Sequence, residues 1–244
     1  MKKALLVLIL PLASTLCGAQ SVSASDVSAA TRKYRVYRLV MTEPSFGLAR
    51  VKAIIKQIKP KEQGDGELAA TAAWAKMSTS ERFTYSMIHG EVSTQVCDSP
   101  PWVTGEETKI FGALTAYFSE QNWSDRQRAF LKANRREVVR LMRSTIGSHR
   151  RVGVNLKDAI VNLGLYELIP DISKVYLRDR KDNDLLTVML ILMKDGKDAA
   201  FAKTITYQKL YGPDANFTSY IDANRANQDL VVKRAMAYYH RKVG

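Results

Sequence analysis

The sequence predicts an all-α fold, either a multi-helix right-handed bundle or a short α-solenoid. Three observations predict it. Apolar residues recur at three- and four-residue spacing over most of the chain. Ser78 with Glu81, Thr104 with Glu107 and Ser124 with Gln127 repeat the spacing of capping boxes, in which a side-chain oxygen takes up free N–H groups at a helix start. Residues 185–193 carry almost no polar group; such a run is too short to cross a bilayer and oily on every side, which predicts a helix at the centre of a core.

In chain order, residues 1–19 read as a secretory signal peptide. Lys2 and Lys3 precede an apolar run over 4–12, and Cys17 and Ala19 stand at the −3 and −1 positions before Gln20. A second site would start the mature chain at Ser25. The expected product is exported, periplasmic or secreted. A form lipid-anchored through Cys17 is disfavoured, because Leu16 occupies the position where a lipidation box carries a small residue.

Residues 20–33, rich in Ser and Ala, read as a flexible N-terminal segment, and 34–244 as one α-helical domain. Residues 33–41, with Val36, Leu39 and Val40, are the only doubtful strand. A helix follows Pro44 through Phe46, Leu48, Val51, Ile54, Ile55 and Ile58, and Pro60 ends it. Residues 61–66 form a polar loop, and 67–76 are Ala-rich and helix-prone. The three capping pairs open helices through Phe83, Met87 and Ile88, through Ile110, Leu114, Tyr117 and Phe118, and from Ser124 to about Ile146. Asn155 caps a helix ending near Gly164, and Pro170 falls in the first turn of the next, where its missing N–H costs nothing. Three helical segments near 198–210, 217–226 and 228–240 follow the apolar core helix. The acidic turn at 179–184 reads as a connector.

Within 155–200, Ala159-Ile160, Leu163-Gly164, Ile169-Pro170, Ile172, and then Asp182 and Asp184 ahead of an apolar helix form a pattern that resembles HEAT-type helical repeats. The resemblance covers about a fifth of the chain. It implies stacked helix pairs and a binding surface rather than a chemistry. Met193 stands where the pattern has glycine, which leaves a non-repeating bundle open.

A content of 46% hydrophobic and 25% charged residues excludes a disordered chain. Removing Lys2 and Lys3 takes the basic count from 37 to 35 against 24 acids, a net +11, which points to acidic partners. Cys97 would then be the one cysteine left, so no disulfide within the chain is expected.

Seven of those net charges fall in residues 123–151. On helical geometry Arg128, Lys132, Arg135, Arg136, Arg140 and Arg143 share one arc of about 140°, opposite Phe130, Leu131, Val138, Leu141 and Met142. This predicts an anion-binding strip, since guanidinium suits bidentate contact with carboxylate, phosphate or sulfate. The expected partners are an acidic protein, a polysaccharide or an anionic lipid surface. Nucleic acid is set aside, because no base-reading or stacking motif accompanies the stripe.

His89, Glu91, Cys97 and Asp98 form the one polar cluster with catalytic potential, in which His89 and Glu91 would be the acid-base groups of a small envelope hydrolase and Asp98 would converge on the same site. Their spacing matches no metal box, and no cofactor is expected. G-x-S-x-G, H-E-x-x-H, a Gly-rich phosphate loop and an EF-hand loop are all missing. A non-enzymatic helical protein that binds an acidic partner is therefore the leading expectation, and the hydrolase is its alternative.

Overall fold

The helix α9 (Asn183–Asp195) lies at the centre of the core: every residue from Asn183 to Met193 is buried. Its apolar run has no polar face to turn outward, so neighbours cover it on all sides. They are α7 (Val154–Asn162), α8 (Ile169–Asp179), α10 (Ala199–Ala202), α12 (Arg225–Val243) and the strand β2 (Lys109–Phe111). This computed structural model describes residues 25–58, 69–93, 101–114 and 121–244. The expected signal peptide at 1–19 with Cys17, the expected polar loop at 61–66, and Tyr117, Phe118, Cys97 and Asp98 lie outside them.

The other helices are α1 (Ala29–Leu39), α2 (Leu48–Lys56), α3 (Thr71–Lys76), α4 (Thr79–Ile88), α5 (Asp125–Ala133), α6 (Arg135–His149) and α11 (Ile205–Tyr211). The fold is mostly helical, as the periodicity predicts. A main apolar cluster spans α4 to α12. A smaller one joins Val51, Ala69, Met77 and Tyr85, with Trp74 and Ile88 packing against both.

Two of the three capping boxes form. Ser78 accepts from the Glu81 N–H while Glu81 accepts from the Ser78 N–H at 2.8 Å, and Ser124 and Gln127 do the same for α5. Pro170 lies in the first turn of α8. Gly164, with φ of +58°, closes α7 in the left-handed conformation that glycine adopts without strain.

Several elements differ from expectation. Residues 29–33 belong to a helix rather than a flexible segment, and the doubtful strand at 33–41 is the rest of that helix, α1, up to Leu39, with extended backbone following at Val40. Ser28 caps it, accepting from the Thr31 N–H at 3.1 Å. No helix opens at Thr104. Glu107 accepts instead from the Thr31 hydroxyl at 2.8 Å and Glu106 turns inward, leaving a short 3₁₀ turn at Glu106–Thr108.

The chain then enters β2, which pairs antiparallel with β4 (Tyr220–Asp222), Ile110 opposite Ile221. Ile221 faces inward between exposed neighbours, so the expected helix at 217–226 gives way to strand and turn up to Asn224, the N-cap of α12. Strands β1 (Val92–Ser93) and β3 (Gln121–Asn122) make a second small antiparallel pair. Asn155 does not cap α7, whose N-cap is Gly153; its amide bonds Thr42 and the Met87 carbonyl, tying the exit of α1 to the end of α4. The segment 198–210 is broken at Thr204, which caps α11.

Candidate functional site

The basic stripe is not one helix face. Asn134, at φ −106° and ψ 25°, ends α5 and begins α6, and its Nδ2 donates to the Phe130 carbonyl at 2.8 Å. Arg128 and Lys132 thus belong to α5, and Arg135, Arg136, Arg140 and Arg143 to α6.

Acids of the protein itself hold four of the six. Arg135 donates to both oxygens of Glu167, at 2.9 and 2.7 Å, and to the Leu163 and Gly164 carbonyls at the end of α7. Arg143 reaches Asp171 at 2.9 Å, and Arg140 grips Glu137 at 2.8 and 2.6 Å. Arg128 stands 3.7 Å from Asp125, a looser pair in open solvent. Lys132 and Arg136 are exposed and have no acidic partner among the described residues. The strip of six cations thus narrows to two open charges flanked by Arg128.

The expected acid-base group Glu91 is fully buried at the end of α4's trailing loop. Arg126 donates its Nε to both carboxylate oxygens, at 3.0 and 2.8 Å; Tyr85 donates to Oε1 at 2.9 Å; and the Ser124 hydroxyl donates to Oε2. Burial pushes the carboxyl up, but the bonds from Arg126, Ser124 and Tyr85 overrule it and hold Glu91 below the usual range. At neutral pH it is a charged acceptor with its lone pairs engaged. His89 is the C-cap of α4, buried, with its ring 5.1 Å from that of Tyr85 and its carbonyl accepting from Gln127 at 2.8 Å. The cluster ties α4 to α5, a structural link.

The densest electrostatic feature was not foreseen. Six buried charges alternate in sign: Arg35, Glu106, Arg38, Asp184, Lys157 and Asp182. Arg35 and Glu106 pair directly, with the Arg35 guanidinium 4.1 Å over the Trp102 ring. Arg38 reaches Glu106 at 3.2 Å and Asp184 at 3.0 Å, and Lys157 reaches Asp184 at 3.2 Å and Asp182 at 2.8 Å. Alternation leaves no net charge in the interior, the condition under which a buried ion set is tolerated.

Burial pushes Asp184 up, but the charges of Arg38 and Lys157 outweigh it and hold the carboxyl low. For Asp182 burial wins over Lys157 and the carboxyl is raised. A small recess of about 40 Å³, open to solvent, lies beside Arg35, Arg38 and Glu106, with Phe111 and Phe217 also in its lining. Its charged atoms already serve one another. The acidic turn at 179–184 is therefore more than a connector, since two of its aspartates complete this set.

Among the described residues no group of three His, Cys, Asp or Glu side chains could hold a metal ion, and no helix is long and apolar enough to cross a membrane. Comparison with family models, with curated proteins and with solved structures gave no match, so function is argued from this geometry.

Proposed function

We propose that the protein is an exported, non-enzymatic helical protein that holds an acidic partner on the α5–α6 face, with Lys132 and Arg136 as the contact cations. One observation carries the reading. The protein's own acids occupy Arg135, Arg140 and Arg143, and leave two exposed charges, one on each side of the Asn134 break, without an acid of their own among the described residues. Arg128, weakly held by Asp125, adds a third cation for a ligand that spans the break. The saturated carboxylate of Glu91 supports a binding role over the hydrolase alternative. Of the two architectures, we carry the bundle: a helix enclosed on every side, as α9 is, suits a bundle centre better than a stacked repeat.

The test is Lys132→Glu with Arg136→Glu, read as affinity for polyglutamate and for a sulfated polysaccharide. The expected result is at least a tenfold loss, together with marked weakening of the parent's binding as salt rises from 50 to about 300 mM. Arg140→Glu should lose less, because Arg140 is already neutralised by Glu137. Unchanged affinity of the double variant for every anionic ligand that the parent binds would overturn the proposal. Fractionation of cells expressing the full chain tests the export.

A further inference from the structure

Helix α1 is inside out. At about 100° per residue, Thr31, Tyr34, Arg35 and Arg38 share one arc, and all four are buried. The opposite arc, about 120° wide, carries Arg32, Lys33, Val36 and Leu39, all exposed, and the exposed C-cap Val40 continues it. Val36 is 69% exposed, the largest value in the first half of the described chain for a large apolar residue, and Met41 extends the strip just past the helix. An ordinary surface helix buries its aliphatic stripe and solvates its charges. Here the ion pairs to Glu106 and Asp184 draw the arginines inward, and the aliphatic side is left facing water.

We infer that this outer face of α1 is a docking surface for an anionic lipid bilayer. Three features point to that occupant. Cations rim the strip: Arg32 and Lys33 lie on the same arc, and Arg150 is exposed one residue before Arg151, whose guanidinium sits 4.2 Å over the Tyr37 ring at the edge of the patch. Of the two acids whose charge reaches Tyr37, Asp182 is buried against Lys157 at 2.8 Å and Asp179 is engaged by Arg178 at 2.8 Å. The strip is aliphatic, and its one bordering aromatic, Tyr37, is already covered by Arg151. Protein interfaces concentrate their energy in Trp, Tyr and Arg anchors, whereas shallow insertion into a headgroup layer needs an apolar helix side with cations beside it and no matching shape. The helix is also preset, because Arg38 and Asp184 fix its rotation before any lipid is met. This inference does not rest on the α5–α6 reading, and separate residues test the two.

The experiment uses the full chain with vesicles of phosphatidylcholine alone or mixed with phosphatidylglycerol. Val36→Trp places a reporter on the face, and its emission, with the parent spectrum subtracted, reads insertion locally, whatever the apolar run at 4–12 contributes. Expected are a blue shift with phosphatidylglycerol vesicles only, quenching by brominated acyl chains, and at least a tenfold weaker response when Lys33→Glu and Val40→Asp are added. Lys132→Glu with Arg136→Glu should leave the response unchanged. No shift on anionic vesicles, an equal shift on neutral ones, or a shift that appears without lipid and tracks dimer formation in sedimentation would overturn the inference.

Discussion

Arg38 and Asp184 stand 146 residues apart in the chain and meet in the interior, Nε to Oδ2 at 3.0 Å, with each side chain about 2% exposed. The bond joins the first described helix to the start of the most deeply buried one. Asp184 also lies in the first turn of α9, where a negative charge suits the helix dipole.

Removing one member of this pair leaves the other buried with too little opposite charge, Arg38 with Glu106 alone or Asp184 with Lys157 alone. Arg38→Ala or Asp184→Ala is expected to cost about 3–5 kcal/mol, read as the urea midpoint. Arg38→Met combined with Asp184→Leu should still leave Lys157 needing Asp182 alone, so the double variant recovers part of the loss rather than all of it. A double variant no more stable than Arg38→Ala would refute the alternating arrangement.

Acid should attack the fold through the depressed carboxylates. Asp184 is held at about 2 and Glu91 is also lowered, so each contributes stability that is present above about pH 4 and is lost as pH falls through its folded value. Asp182, raised by burial, works in the opposite direction. Asp184→Asn should therefore be far less stable than the parent at pH 7 and approach it between pH 4 and 2. Parallel stability curves for the two proteins would contradict this.

Asp158, on α7, is pushed up to about 6 by burial, with Asn162 offsetting the rise slightly. A raised acid penalises the fold once it ionises: the cost is absent below about pH 4, grows through the folded value and persists above it. Asp158→Asn should stabilise the protein by about 3 kcal/mol at pH 7.5, given roughly 1.4 kcal/mol per pH unit by which folding moves a titration. The gain should vanish near pH 4. Thermal melts at the two pH values check it.

Gly153, the N-cap of α7, abuts the exit of α1 backbone to backbone, beside the bond from the Val154 N–H to the Val40 carbonyl at 3.1 Å. A Cβ there would meet the Thr42 nitrogen at 2.2 Å and the Met41 carbonyl carbon at 2.6 Å. Gly153→Ala should cost about 1–3 kcal/mol, since main chain cannot swing aside as a side chain can. Gly147, inside α6, has nothing within 4 Å of its Cβ position, and Gly147→Ala should raise stability by up to about 1 kcal/mol. Opposite signs for the two alanines are the expected outcome.

What could be read directly from the residues was local. The periodicity of 185–193 marks α9, the Ser78 and Ser124 boxes mark the starts of α4 and α5, and Pro170 marks α8, because each depends on neighbours within a turn or two. Thr104 with Glu107 carries the same spacing and fails, since Thr31 claims Glu107 from 76 residues away. Helical-wheel reasoning found the basic arc but not the Asn134 break, nor the acids Glu167 and Asp171 that pair with it from α8 and the turn before it. One signal in α1 was available: Arg35 and Arg38 share an arc with Thr31 and Tyr34, opposite Val36, Leu39 and Val40, a division that a half-buried strand would not need. Nothing near them in the chain reveals which acids they meet.

Ribosomes make α1 long before α9. Through most of synthesis Arg38 has no Asp184 to bind, and the inward side of its helix carries charge that cannot be packed against oil. The amino-terminal end is therefore a late joiner: the carboxyl-terminal half must gather around α9 before the first helix can seat. A chain cut short before residue 184 would keep Glu106 and Glu107 for the inner side of α1 but would leave Arg38 without its deepest anchor.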